Sequence, residues 1–398
     1  MSISYWQNSF YKQNSKPLEY DIVIIGAGIA GLSTAYWIEK TQPQLKIALI
    51  DKQFIAAGAS GKNAGFVTCG SAEHFHKLQQ QFGLDKAVEI WKFSETNRQL
   101  VGQEIIQNNS SEVDYFQTGS ATVCPRPSEW ERYLTIEKTM KTAGIDVELV
   151  TPDLLQKNYG VKNAVGAIQY LHDGIIHPVK LLNQIKQKLT RTDFYFNEEV
   201  FNITETHNQV QIQTRSHSFQ TGKVFAGLNG FVSELFPELK NLVKPQRGQV
   251  VVTEKLPPFV KGPCYLTEHL CYFRQLPTGE LLVGGFRNQD LEAENTAFDS
   301  ISEKIQLALT QFTQSYFNNT QSVKINYRWS GVMGFTPDGQ MLIGRIPSSK
   351  NIYTMAGCSG HGMGLSFHAA KVLVENALSN TPIPSHLNIQ RQQAPAAH

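Results

Sequence analysis

From Tyr20 the chain alternates apolar runs with mixed segments in a way that predicts a βαβ unit. The run DIVII reads as a strand, a glycine turn follows, GLSTAYWIEK has helical spacing, and KIALI is a second apolar strand ending at Asp51. Residues 84–108 and 128–143 carry amphipathic helical spacing, with strand character between them in VDYFQTGSATVCP, so this stretch reads as an inserted layer rather than further doubly wound sheet. A helix restarts within DGIIHPVKLLNQIKQKL, where Pro178 suits a first turn. Strands follow near EVFNIT, QVQIQT and KVFAGL, then in GQVVVTE and CYFRQLPTGELLVGGF, before a helix over 302–316. The last segment, NIYTMAGCSGHGMGLSFHAAKVLVENAL, reads strand, glycine turn, long helix.

Length and charge narrow the classes. A chain of 398 residues fits two packed domains better than one. Its formal net charge of +2 gives no footprint for nucleic acid, which leaves small molecules as the default partners. The five cysteines are odd in number and scattered without a CxxC, the pattern of reduced thiols in a cytoplasmic compartment rather than of disulfides. His269 stands between Cys264 and Cys271, but no fourth ligand lies at a sensible spacing, so no metal site is expected. No signal-peptide pattern opens the sequence, and no run reaches the roughly 18 apolar residues of a membrane helix. The expectation is a soluble protein with a polar surface arm over 1–19.

The first chemistry lies in GAGIAG, where Gly26, Gly28 and Gly31 stand in GxGxxG spacing between strand and helix. The first glycine permits a tight turn, the second lets main chain approach a pyrophosphate, and the third lets helix pack on strand. Asp51 closes the second strand twenty residues later, where a carboxylate can hold ribose hydroxyls. This leaves NAD and FAD both open. GASGKNAGF, from Gly58, tips the choice to FAD, whose ribityl chain and ring must be led further into the protein. Ser60 can bond a phosphate or ribityl hydroxyl, and Gly61 and Gly65 let main chain lie close to a flat ring.

Taken in order, DIVIIGAGIAGLSTAYWI, GASGKNAGF, DGIIHP, YRWSGVMGFTPDGQMLIG and YTMAGCSGHGMGLS resemble the FAD-dependent oxidoreductases of the D-amino acid oxidase superfamily, from Ser4 to Leu378. Most similar is the γ-glutamylputrescine oxidoreductase branch, with glycine and sarcosine oxidases more distant. The resemblance implies an α/β fold with an α+β second domain. A discontinuous Rossmann-type FAD-binding domain would span 20–84, 151–244 and 321–385, interleaved with a substrate domain of mixed or antiparallel sheet over 85–150 and 245–320. A flexible tail would follow over 386–398, and the active site would lie between sheet and flavin. FAD would be cradled by Gly26, Ala27, Gly28, Ile29, Ala30 and Gly31, by Asp51 and Lys52, by Ala59, Ser60, Gly61, Asn63, Ala64 and Gly65, and by Val200. Gly357, Gly360, His361, Gly362, Met363 and Gly364 would run beside the pyrimidine end of the flavin, with the helix that follows pointing its N-terminus at the N1–C2=O edge.

The resemblance also implies the reaction: hydride transfer from the amine-bearing carbon of a small amine or amino acid to flavin N5, with oxygen or another acceptor taking the electrons. The alternative is a flavoprotein dehydrogenase or tailoring enzyme that acts on a macromolecular side chain or passes electrons to a partner protein or quinone. Tyr272, Arg274 and His361 are the catalytic candidates, and Arg247, Tyr272, Arg274, Trp329 and Phe335 the substrate candidates. Each has a plainer reading: Arg274 as carboxylate clamp or as ion pair, Tyr272 and Trp329 as core aromatics, His361 as proton relay or flavin contact. His172 and His177 with Asp173 and Gly174 read as a turn rather than a metal pair. Gly331 stands where sarcosine oxidases carry the cysteine that attaches FAD, so the cofactor is expected to be noncovalent. Gly364 and Leu282 replace the lysines that hold a substrate carboxylate and activate oxygen in those relatives. Around Gly227 to Asn229 the family's usual ATG is replaced by AGLNG.

Overall fold

The computed structural model describes residues 4–6, 9, 16–206 and 208–393. Most of the arm expected over 1–19, and residues 394–398 of the tail, lie outside the described residues. The chain forms two compact units, Met1–Gly61 with Leu181–Gln246 and Met333–His398, and Lys62–Lys180 with Arg247–Val332.

In the first unit the expected βαβ forms: strand Leu18–Ile25, helix Ile29–Thr41, strand Ile47–Ile50. The four residues of the second strand are all buried, as a parallel strand covered on both faces requires. Strand Leu18–Ile25 pairs in parallel with Ile47–Ile50 on one side and with Ser218–Ala226 on the other. Thr192–Tyr195 extends the sheet in parallel beyond Ile47–Ile50, Ile352–Ala356 pairs in parallel with Ser218–Ala226, and the meander Asn202–Thr206, Gln209–Gln213, Ser218–Ala226 forms the other wing. The strand expected at EVFNIT starts only at Asn202, after the buried Val200. Helix Ile29–Thr41 packs on the long helix Gly362–Ser379, where Trp37 Nε1 donates to the Phe367 carbonyl at 2.8 Å and the two rings lie 5.1 Å apart. Burying each ring contributes roughly 1.5–3 kcal/mol. Residues 386–391, placed in the tail by the sequence reading, are held down: Leu387 and Ile389 are buried and Arg391 grips Asp338 through Nε (2.8 Å) and Nη2 (3.1 Å).

The second unit is built on a mixed sheet of eight strands, ordered Ile325–Phe335, Lys244–Lys255, Glu280–Gly284, Cys271–Gln275, Cys264–Leu266, Ser120–Cys124, Gly166–Tyr170, Val147–Val150. The pairing of Cys264–Leu266 with Ser120–Cys124 is parallel, its neighbours antiparallel. Helix Glu303–Tyr316 packs Ile305, Leu309 and Phe312 into the core around Phe273 and Phe317. Helices Ala72–Phe82, Leu84–Leu100 and Trp130–Thr142 bury Phe75, Trp91 and Tyr133 in a second core. The helix expected over 84–108 is α-helical to Leu100 and ends in a π-helical turn, Val101–Ile106. A small sheet joins Phe66–Val67, Gly174–Ile175 and Phe116–Gln117, which places residues 62–84 and 151–180 in this unit. All five cysteines are buried and unpaired. Among the described residues no helix is long and apolar enough to cross a membrane.

Candidate active site

The glycine turn of the first unit is fitted to its neighbours atom by atom. A methyl on Gly31 would overlap the Gly26 carbonyl oxygen, and one on Gly26, held at φ +107°, would lie 2.8 Å from the Gly227 carbonyl. Gly227 in turn packs its Cα side against the Gly31 amide, at 3.0 Å from an added methyl. The helix is thereby drawn close to the sheet, and its first turn, from Ile29, has Gly28 as a cap residue without a side chain. Ser60 fills that place: its Oγ accepts the Ile29 N–H at 2.9 Å, over the positive end of the helix. Asp51 accepts the Ala27 N–H on Oδ2 (2.7 Å) and the Gln53 N–H on Oδ1 (2.8 Å), so both oxygens are oriented while each keeps a lone pair for a hydroxyl. The Asp51 and Gln53 carbonyls accept the N–H groups of Glu198 and Asn197, which brings the segment leading to Val200 alongside. Lys52 points instead to Glu234, at 3.9 Å, and over the Phe231 ring. These residues fit a dinucleotide: a glycine-lined helix N-terminus for the pyrophosphate, with an oriented carboxylate for the ribose.

The C-terminal loop is shaped by the same unit. Gly357 (φ +69°) would strike Thr336 with any side chain, whereas Gly360 (φ +87°) faces open space and needs glycine for its backbone alone. Gly362 would make only ordinary contact, 3.6 Å, through a methyl, so the protein around it does not demand glycine. A bulky ligand lying against that backbone would. His361 is the cap residue of helix Gly362–Ser379 and gives it no side-chain bond. Its Nδ1 lies 3.0 Å from the Ser359 carbonyl, which can only accept, so Nδ1 is the donor of that bond. Met363 and Gly364 are buried in the first turn. Asn229, in the departure AGLNG, explains that departure: its Oδ1 accepts the Cys358 N–H at 3.1 Å, from a φ of +46° that asparagine tolerates. The Ser359 N–H is held by the Gly334 carbonyl at 2.8 Å. Phe335 lies half-buried in this unit, next to that anchor.

Within the second unit, Tyr272 and Trp329 come together with Ala64, Phe66, Val250, Val252, Leu276 and Leu282 in one apolar cluster. Tyr272 lies across Gly284 on the neighbouring strand and meets Phe66 edge-on, with ring centroids 5.8 Å apart. Burial pushes its phenol up to about 12, so it keeps its proton at neutral pH. Trp329 Nε1 donates to the Lys62 carbonyl at 2.9 Å, Ser330 Oγ donates to Asp299 at 2.6 Å, and the Lys62 ammonium pairs with Asp299. Arg247 stands apart from this cluster. Its Nε and Nη2 grip Glu294 at 2.9 and 2.7 Å and its Nη1 reaches Ser300. Arg274 gives Nη1 to the Gly65 carbonyl (3.1 Å) and Nη2 to the Ile176 carbonyl (3.2 Å). Asn63 Oδ1 accepts the Gly65 N–H at 2.7 Å, closing the turn between them.

One buried carboxyl was read as a turn former only. Asp173 is fully buried, accepting Ser120 Oγ at 2.6 Å and the Cys69 N–H at 3.0 Å, and its backbone carbonyl takes the Thr118 and Gly119 N–H groups. Desolvation raises it to about 7 from an ordinary 3.8, against the pull of these bonds and of Arg98. The folded chain then holds a proton that the unfolded chain has released. Stability from this group is complete below about pH 4 and is lost as pH rises to about 7, a swing on the order of 4 kcal/mol at 1.36 kcal/mol per pH unit. Asp173→Asn keeps both side-chain bonds with no charge. It is expected to unfold at a higher temperature than the wild type at pH 8 and at a similar one at pH 4, as followed by circular dichroism. A constant difference between the two pH values would disprove the burial argument.

Comparison with known proteins agrees with this geometry. A probable oxidoreductase OrdL of Haemophilus influenzae is 25% identical over 378 residues, covering 90% of this chain and 83% of that protein. The γ-glutamylputrescine oxidoreductase of Escherichia coli is 24% identical over 378 residues, covering 89% and 83%. Among solved structures, L-proline dehydrogenase from P. horikoshii superposes with a TM-score of 0.78 at 18% identity, over 95% of this chain and 99% of that one. Glycine oxidase from Geobacillus kaustophilus gives 0.78 at 17%, over 92% and 96%. The profile of the FAD dependent oxidoreductase (DAO) family matches residues 21–376, from the first strand of the glycine turn to the helix that closes the C-terminal loop, and the chain belongs to that family.

Proposed function

We propose that this protein oxidises a small amine or amino acid with FAD, taking hydride from the carbon that bears the nitrogen and leaving an imine that water hydrolyses. FAD, when bound, supplies the electron acceptor for that step. The observation that carries the reading is the ready cradle of the first unit, where Ser60 and Asp51 are already oriented at the glycine-lined end of helix Ile29–Thr41. Relatives that carry the family profile include γ-glutamylputrescine oxidoreductase, and structural neighbours include glycine oxidase and L-proline dehydrogenase, all named for nitrogen-bearing substrates.

The chain's own residues would act by holding and by excluding. The cluster of Ala64, Phe66, Val250, Val252, Tyr272, Leu282 and Trp329 presents an apolar surface that keeps water from a neutral amine. Tyr272, protonated, can donate a hydrogen bond but cannot serve as a base at neutral pH. His361, at the start of helix Gly362–Ser379, is the candidate proton relay or flavin contact. Phe335 is proposed as a further lining residue.

Two features refine the reading. At Gly331 an added methyl would lie 3.1 Å from Lys62 Cβ and 3.7 Å from its Cδ, so the lysine stem fills the place where sarcosine oxidases carry their flavin-linked cysteine. All flavin is therefore expected in the supernatant after acid precipitation; colour retained in the pellet would contradict this. Leu282 is buried among apolar neighbours where those relatives have their oxygen-activating lysine, which favours a dehydrogenase.

The deciding experiment is an anaerobic screen of the purified protein against amines, polyamine derivatives and both enantiomers of amino acids, following the flavin band, and then admission of air. Bleaching by a small amine that persists in air is the expected result. Rapid return of colour with peroxide would make the protein an oxidase. No bleaching by any small amine would sink the proposal in favour of a macromolecular substrate.

A further inference from the structure

We propose that Asn229 is a positioning residue for the cofactor: it ties the C-terminal glycine loop to the dinucleotide cradle, so that filling the cradle orders that loop. This rests on the reading above, in which the cradle holds the ADP part of FAD, and every contact it uses lies within the first unit.

Three parallel strands end side by side in that unit, with Ile25 paired to Ala226 and Ala226 to Thr354. Each gives way to a loop that opens on glycine, at Gly26, Gly227 and Gly357. Ligands of α/β folds bind outside the carboxyl ends of such strands. The loop at Gly227 stands between the other two and touches both. On one side, a methyl added to Gly26 would lie 2.8 Å from the Gly227 carbonyl oxygen, and one added to Gly227 would lie 3.0 Å from the Gly31 nitrogen, so the main chains are in contact. On the other side, Asn229 Oδ1 accepts the Cys358 N–H at 3.1 Å.

The C-terminal loop depends on such anchors. Gly357, Ser359 and Gly360 have φ of +69°, +48° and +87°, and Ser359 lacks the freedom of glycine to adopt it. A backbone of this kind persists only where its surroundings fix it. The Gly334 carbonyl holds the Ser359 N–H at 2.8 Å, and Gly334 is itself packed on the middle loop: a methyl there would lie 2.7 Å from Asn229 Oδ1 and 2.8 Å from the Gly230 nitrogen. Asn229 thus stands behind both anchors. Asparagine suits the place because it tolerates its own φ of +46° while offering an oxygen that glycine lacks. Phosphates bound at the glycine turn engage its N–H groups and fix its main chain. The middle loop, packed on that turn, loses freedom with it, and the bond to Cys358 passes the restraint on. A ligand that rigidifies one segment leaves less entropy to lose in ordering the next.

The test is amide hydrogen exchange at Cys358 and Ser359 in the full-length chain, without ligand, with saturating ADP and with FAD. FAD can slow exchange by lying on the loop itself, whereas ADP fills only the cradle, so the ratio with and without ADP decides. In the wild type, ADP is expected to slow both amides at least about tenfold. Asn229→Gly keeps the backbone free to turn but lacks the oxygen; it should bind ADP within about threefold of wild type and lose the slowing. Asn229→Asp keeps an acceptor oxygen and should retain it. Slowing that survives in the Gly variant, or is lost in the Asp variant as well, would overturn the inference. A Gly variant that no longer binds ADP would make Asn229 part of the cradle itself and overturn the coupling. A wild-type loop indifferent to bound ADP would do the same, and that measurement needs no variant to fold. A wild-type chain that binds neither ADP nor FAD would instead overturn the functional reading.

Discussion

Gly31→Ala is expected to yield a protein that unfolds early and retains no FAD. The added methyl would overlap the Gly26 carbonyl oxygen, a main-chain atom that cannot swing aside as a side chain can. Helix Ile29–Thr41 would have to lift from strand Leu18–Ile25, and with it would go the Ile29 N–H to Ser60 bond and the closeness of the Gly227 turn. Overpacking costs about 1–3 kcal/mol where side chains can adjust, and a backbone clash belongs at or beyond the upper end. In a unit of this size each kcal/mol moves Tm by roughly 2–4 °C, so a fall of roughly 6–12 °C is expected. Gly58→Ala, in the neighbouring loop where nothing lies within 4 Å, should change neither Tm nor flavin content. Gel filtration followed by the flavin absorbance, beside a thermal melt, reads both. A Gly31→Ala protein that is yellow and as stable as wild type would remove the steric argument for the cradle.

Arg247→Ala should strongly destabilise the second unit. The guanidinium and the Glu294 carboxylate are 8% and 1% exposed, joined by two bonds, and Glu294 is further held by Gln249 Nε2 at 2.9 Å. Removing one partner strands a buried charge and costs about 3–5 kcal/mol. Replacing both, as in Arg247→Met with Glu294→Leu, should recover much of that loss, because no buried charge is left behind and Gln249 Nε2 keeps its bond to Ser302 Oγ at 2.9 Å. Urea unfolding of the two variants makes the comparison. If Arg247 instead holds a substrate carboxylate, Arg247→Ala would leave stability nearly intact and raise KM, and the ion-pair reading would be wrong.

What the sequence disclosed follows from how local each signal is. GAGIAG, the apolar strands beside it and Asp51 lie within about thirty residues, and the sterics that fix a tight strand-to-helix turn are written in that window. The C-terminal glycines were legible for the same reason, although two different causes lie under one motif: contact with Thr336 at Gly357, backbone conformation alone at Gly360. Asn229 was visible only as a departure from a familiar pattern, because the amide it serves is 129 positions away. Arg247 and Arg274 look alike in sequence, each an arginine in a strand, yet one meets Glu294 and the other meets carbonyls 209 and 98 residues distant. Neither partner leaves a trace in spacing. Asp173 misled for a related reason, since a His-Asp-Gly turn is ordinarily exposed, while here the small sheet and Ser120 close over it.

The first unit has its oldest residues at the centre of the sheet and its newest at the edge of the same layer. Strand Leu18–Ile25 needs Ser218–Ala226 beside it, which in turn needs Ile352–Ala356, and the helix after the glycine turn needs Phe367 against Trp37. At roughly 5–20 residues per second, a ribosome leaves on the order of 15–70 s between emergence of the first of these segments and the last. The strand edges of the nascent βαβ are covered once residues 192–226 have emerged, but its helix face stays uncovered until Phe367 arrives, near the end of that interval. The chain therefore depends on its cellular surroundings for longest at the very segment that will later grip the nucleotide, and a ribosome stalled before residue 352 would release a cofactor unit that cannot close.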